Sequence, residues 1–173
     1  MILLVLIAIA VLIVADQAVK LWTVAQFAAP VPPNIYATAD APVDFLPGVV
    51  ELTRIHNYGA AWSSFSGMRW VLVALTGAVM VFLLVVLFKK WVRHPLGLAG
   101  LTLILSGGIG NLIDRVRLGY VVDMLHLEFW PSYPVFNVAD IFVVSGVIIF
   151  MLYYLFLYEK TDSRAARLHD KED

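Results

Sequence analysis

The sequence contains no cysteine. It therefore has no disulfide framework, no thiol nucleophile and no cysteine-ligated metal site. It is also short of charge. Asp, Glu, Lys and Arg make up 14% of its 173 residues, where soluble proteins carry about one-quarter. There is no basic block and the formal net charge is -1, so nothing points to a nucleic-acid partner. No Gly-x-Ser-x-Gly elbow or Ser–His–Asp order appears, and no glycine-rich phosphate loop follows a strand. The histidines, His56, His94, His126 and His169, form no metal constellation. Asp123 and His126 have a ligand-like spacing, but two ligands are too few. What remains for chemistry is carboxylates, with no cofactor implied.

What abounds is apolar sequence. Hydrophobic residues make up 61% of the chain, and the mean hydropathy is +0.86. The length suggests one membrane domain, 1–173. Apolar runs at about 2–25, 70–88, 96–113 and 138–158 are each close to the ~20 residues that cross a bilayer as a helix. The first could be a cleaved signal peptide. It lacks a basic residue ahead of its apolar core, however, and continues past Lys20 through LWTVAQF, so a retained helix is expected. The fold class expected is an α-helical integral membrane protein with four transmembrane helices and a small extracytoplasmic β-containing element.

Lys89, Lys90 and Arg93 lie between spans two and three, and Lys160, Arg164, Arg167 and Lys171 follow span four. By the positive-inside rule both segments, and with them both termini, face the cytoplasm. Segments 28–69 and 114–137 then lie outside. The first holds Pro30, Pro32, Pro33, Pro42 and Pro47 and is expected to be irregular or extended. GVVELTRIHNYG, from Gly48 to Gly59, reads as a strand or hairpin. The charged tail from Glu159 is expected to fray or form a loose helix.

With this topology the polar groups of three spans collect at one face. Asp16 and Lys20 end span one, Asn111, Asp114 and Arg115 end span three, and Asn137 and Asp140 begin span four. Each element also has an ordinary explanation. Asp16 with Lys20 fits an i,i+4 ion pair. Asp114 and Arg115 could end a span in the headgroup region. Asn137 with Asp140 fits a helix cap. Gly107, Gly108 and Gly110 suit close helix packing. A loop acid such as Asp123 is usually solvated, but this one stands in an apolar stretch, between YVV and MLHL, with no adjacent base. The conjunction of all these at one face argues for a site, because ionisable groups at membrane depth are costly.

The blocks DQAVK (16–20), NYGAAWS (57–63), GGIGNLIDRVRLGYVVDM (107–124) and FNVAD (136–140) closely resemble those of the lipoprotein signal peptidases, also called type II signal peptidases. The order of the blocks and the four spans resemble that family along nearly the whole chain. Trp62, Met124 and Ile141 depart from residues common in the family. They are apolar or neighbouring positions and leave both aspartates in place.

The resemblance implies that Asp123 and Asp140 are the catalytic pair. It marks Asp16, Lys20, Asn57, Gly59, Asn111, Asp114, Arg115, Asn137 and Ala139 as residues that bind substrate or support the site. The implied activity is removal of signal peptides from bacterial prolipoproteins, before a cysteine carrying diacylglyceryl. The implied setting is the bacterial inner membrane, with the site near the outer leaflet. The partners would be lipidated prolipoproteins and membrane lipid, with the protein a monomer and no metal required.

Other classes compete. A proton-coupled transporter would use intramembrane charges, but would spread them along a path and commonly shows repeats. A metal-dependent phosphoalcohol transferase needs several acids converging on ions. A non-catalytic assembly subunit would use the polar cluster to hold helices together.

Overall fold

A computed structural model describes residues 1–30, 40–60 and 64–158. Its helices are α1 (Ile2–Gln26), α2 (Arg69–Phe88), α3 (Pro95–Arg117) and α4 (Val138–Phe156). All four are long and apolar enough to cross a membrane. Three strands, β1 (Val43–Leu46), β2 (Val50–Asn57) and β3 (Val121–Leu127), form an antiparallel sheet in the order β1-β2-β3. The expected helical membrane fold with a small β element is therefore present. The tail from Glu159, part of the proline-rich segment (31–39) and Trp62 lie outside the described residues.

α3 is the central helix. Its most apolar window is 61% buried, against 11%, 22% and 17% for α1, α2 and α4. The other three helices therefore offer most of their surface to lipid, while α3 offers protein. Its glycines explain how. A Cβ at Gly107 would strike the Ala139 carbonyl oxygen of α4, one at Gly108 the Met80 thioether of α2, and one at Gly110 would lie 2.6 Å from Asp16 Oδ2 of α1. One helical turn thus admits three neighbours at close range, as small residues do in membrane bundles. Leu101 and Leu105, both fully buried, continue the core towards the other end of the bundle.

α3 is longer than the apolar run. It begins on Pro95 after a cap from the His94 side chain and continues to Arg117. Asp114 and Arg115 are therefore helical residues, not part of an outer loop. β2 lies in the stretch expected to be extended. β1 falls within the proline-rich segment, between Pro42 and Pro47. β3 has no period-2 alternation to mark it, because Val121, Val122, Asp123 and Met124 are all at most 2% exposed. A strand buried on both faces loses the alternation that sequence reading relies on.

Candidate active site

Asp123 enters the site from β3, whose register places it opposite Ile55 of β2. Asn57, at the end of β2, donates from Nδ2 to Asp123 Oδ2 at 3.0 Å. Gly59 N–H donates to Asn57 Oδ1 at 2.9 Å, which orients that amide. β2 is itself fastened to α1. Arg54 donates to the Val24 and Phe27 carbonyls at 3.3 and 2.9 Å, and its Nη2 lies 3.1 Å from His56 Nε2. Burial, helped by Arg54, lowers the His56 pKa to about 4, so His56 is a neutral acceptor for the guanidinium. Its ring stacks on Tyr120 at 3.8 Å.

Asp140 enters from the first turn of α4. Asn137 caps that helix: its Oδ1 accepts from Asp140 N–H at 2.9 Å, while its own N–H donates to Asp140 Oδ2 at 3.1 Å. This is the expected capping box, and it also builds the site. The same Asn137 donates from Nδ2 to Asp123 Oδ1 at 2.6 Å and lies 3.1 Å from Asn111 Oδ1. Asn111 donates from Nδ2 to Asp140 Oδ1 at 2.8 Å. One fully buried asparagine thus holds both aspartates. Both line one cavity of about 420 Å³, together with Asn57, Asn111, Arg115 and Val144. Burial, and next the charge of Asp140, raise the Asp123 pKa to about 7, against the hydrogen bonds from Asn57 and Asn137 and the charge of Lys20.

Behind the cavity lies a second buried layer. Lys20 Nζ is 2.9 Å from Asp16 Oδ2, 3.0 Å from Asp114 Oδ2 and 3.0 Å from Asn111 Oδ1. Asp16 also accepts from Ala139 N–H at 3.0 Å, which ties α1 to the start of α4. Asp114 accepts from Val122 N–H at 3.3 Å, which ties α3 to β3. The charge partner of Asp114 is thus Lys20. Arg115 reaches instead to the Gly59 carbonyl at 2.8 Å. Both faces of the site are assembled from α1, α3, α4 and the sheet, and the eleven residues named from the sequence all fall in these two layers.

Gln17 escaped the sequence reading. It donates to Asp16 Oδ2, the Gly110 carbonyl and Asp114 Oδ1 at 3.2, 3.3 and 2.9 Å. Its place inside the DQAVK block was the available signal. Tyr133 and Phe136, on the segment between β3 and α4, also line the cavity.

Among the described residues, the group of three acids close enough to share a metal ion is Asp44, Glu51 and Glu128 of the sheet region, and none of them is in this site. Asp16 and Asp114 already have an ammonium between them, and amides surround Asp123 and Asp140. That donor set suits carboxylates working with a proton and water more than carboxylates converging on a cation.

The fold and site define a polytopic membrane protein with a pair of buried carboxylates at one end of its helical bundle. Residues 8–156 match the family described as signal peptidase (SPase) II. A lipoprotein signal peptidase of Lactococcus lactis subsp. cremoris is 43% identical over 140 residues, 81% of this chain and 85% of that protein. One from Enterococcus faecalis is 42% identical over 127 residues, 72% of this chain and 73% of that protein. Two solved structures of bacterial membrane enzymes share the fold. Each has a TM-score of 0.73, at 23% and 24% identity, covering 91% and 88% of this chain and 90% and 93% of those chains. The chain belongs to the signal peptidase II family. It is a multi-pass membrane peptidase that removes signal peptides.

Proposed function

We propose that the chain cleaves bacterial prolipoproteins before a diacylglyceryl-modified cysteine, with Asp123 and Asp140 as its catalytic pair. The observation that carries this reading is that both aspartates line one cavity and are held by one buried residue, Asn137. Two carboxylates sharing a low-dielectric site do not both ionise easily, so one proton is shared between them. Asp140 sits in the first turn of α4, where the free N–H groups and the helix dipole favour an anion, and the pair titrates as a unit. Asp123, raised to about 7, can hold that proton up to about neutral pH.

The ionised carboxylate removes a proton from water as its oxygen attacks the scissile carbonyl carbon. The protonated carboxyl donates a hydrogen bond to the carbonyl oxygen. Collapse of the tetrahedral intermediate breaks the C–N bond, and the leaving amine takes up a proton from the pair. No covalent enzyme intermediate is needed.

Arg115 and Asn57 flank the cavity and would satisfy backbone groups of a signal helix unwound at membrane depth. Gly59 anchors the outer segment to Arg115 and Asn57. Asp16, Lys20 and Asp114 support the site from behind, and Ala139 gives its N–H to Asp16. A smaller pocket of about 170 Å³ adjoins the cavity along α4, lined by Ile141, Val144 and Ser145. Ile141 and Val144 are 43% and 53% exposed, so a lipid-linked substrate can approach sideways from the bilayer. The basic segments face the cytoplasm, with both termini inside and the aspartates near the outer leaflet. The protein works as a monomer.

The test is incubation of the purified protein with a diacylglyceryl-modified precursor and an unlipidated control. Only the lipidated precursor should be cut, with or without a chelator. Asp123→Asn and Asp140→Asn should each slow cleavage by about 10³-fold or more in protein that unfolds at the wild-type temperature. Near-wild-type turnover in either variant would remove that residue from the pair, and a chelator effect reversed by a divalent ion would favour metal chemistry.

A further inference from the structure

Arg115 lines the cavity that holds both aspartates. Its Nη2 donates to the Gly59 carbonyl at 2.8 Å. Its Nε is buried and has no hydrogen-bond partner among the described residues. A buried donor is costly unless something accepts from it, so the orphaned Nε is a donor suited to a substrate carbonyl. Its direction depends on how the last turn of α3 is held, and a second arginine holds that turn.

Arg69 is the first residue of α2. Its Nε donates to the Arg115 carbonyl at 2.7 Å and its Nη2 to the Val116 carbonyl at 2.6 Å. Both carbonyls belong to the last turn of α3, where the oxygens have no partner within the helix. A guanidinium presents its donors in a rigid planar fork and so fixes two neighbouring carbonyls at once, which the freely rotating ammonium of a lysine does not. The fork is packed closely. Its Cζ lies 4.6 Å from the centroid of the Trp70 ring, and a Cβ at Gly119 would lie 3.3 Å from its Nη1. A cation suits the C-terminus of a helix and not the N-terminus. Arg69 therefore stands at the unfavourable end of α2 and the favourable end of α3, and both of these hydrogen bonds go to α3.

We propose that Arg69 is a positioning residue for substrate, acting through Arg115. Its fork fixes the last turn of α3, and the fixed turn aims Arg115 Nε at a backbone carbonyl of the bound signal peptide. The inference rests on the reading of Arg115 as a substrate contact. It adds that this contact depends on a residue of α2 that does not itself line the cavity.

The test is steady-state cleavage of a diacylglyceryl-modified precursor by the full chain in detergent, with unfolding temperatures measured alongside. Arg115→Met should raise KM roughly tenfold to a hundredfold, the value of one hydrogen bond to a charged group. Its kcat should change little, because a contact to the peptide backbone is made alike in the bound substrate and the transition state. Arg69→Met should raise KM as well, by no more than Arg115→Met does. Arg69→Lys keeps the charge at the end of α3 and loses the fork, so it should unfold near the wild-type temperature and still show the raised KM. Arg69→Lys combined with Arg115→Met should match Arg115→Met alone, since there is no guanidinium left to aim. A wild-type KM in Arg69→Lys would make Arg69 a stabilising charge only and overturn the inference. So would effects that multiply in the double variant. An unchanged KM in Arg115→Met would overturn the reading of Arg115 itself, and the inference with it.

Discussion

Lys20 Nζ lies 3.0 Å from Asn111 Oδ1, and this contact decides which way the Asn111 amide faces. An ammonium only donates, so the Asn111 oxygen must face Lys20 and its NH2 must face outward. That NH2 donates to Asp140 Oδ1 at 2.8 Å. A lysine that does not line the cavity thereby sets a donor on one of the two aspartates that do.

Replacing Asn111 tests this relay. Asn111→Asp keeps an acceptor for Lys20 and removes the donor to Asp140. Its kcat should fall roughly tenfold to a hundredfold, the value of one hydrogen bond to a charged group. KM should change little, because the lost contact is to the catalytic pair and not to substrate. A drop in KM-controlled affinity with kcat unchanged would assign Asn111 to substrate binding instead.

Removing the ammonium should be worse for the fold than for any single hydrogen bond. Lys20→Met strands Asp16 and Asp114, which are 0% and 3% exposed. Breaking a buried ionic cluster from one side costs about 3–5 kcal/mol. Thermal unfolding in detergent should show that loss, and adding Asp114→Asn to the same chain should recover part of it. Wild-type stability in Lys20→Met would mean that water or a proton replaces the ammonium at no cost.

The Asp123 carboxyl shifts from 3.8 to about 7 on folding. Between those values the folded chain holds a proton that the unfolded chain releases. Stability from this group is therefore fully present below about pH 4 and is lost as pH rises through about 7. Asp123→Asn should flatten that part of the stability–pH curve. Turnover should share the alkaline limb: above about 7 the pair loses its shared proton and the carbonyl loses its donor. A rate that stays level from well below to well above neutral would contradict a shared proton.

Gly107 and Gly77 make a matched comparison. A Cβ at Gly107 runs into the Ala139 carbonyl oxygen, whereas one at Gly77 meets nothing within 4 Å. Gly107→Ala should push the start of α4, and with it Asp140, away from α3. A misplacement of ~1 Å at reacting groups can cost about 10²-fold, so activity should fall at least that far. Gly77→Ala should retain full activity and gain roughly 0.5–1 kcal/mol of helix stability, read as a raised unfolding temperature. Equal behaviour of the two variants would separate the α3–α4 contact from the positioning of Asp140.

Hydropathy by itself determined the four helices, because a bilayer demands runs of about 20 apolar residues and little else in the sequence can mimic them. The i,i+4 pair Asp16–Lys20 and the cap Asn137–Asp140 were also determined there, because both are local and follow from helix periodicity. The motif blocks carried the remaining site residues by resemblance. Only the tertiary structure decided that Asp114 belongs to Lys20, 94 positions away by their numbers, and that Arg115 turns to Gly59. It alone decided that the cap residue Asn137 also holds Asp123, and that Asp123 stands on a strand. Contacts between distant segments leave no period in a sequence, and a strand buried on both faces shows none of the alternation that would announce it.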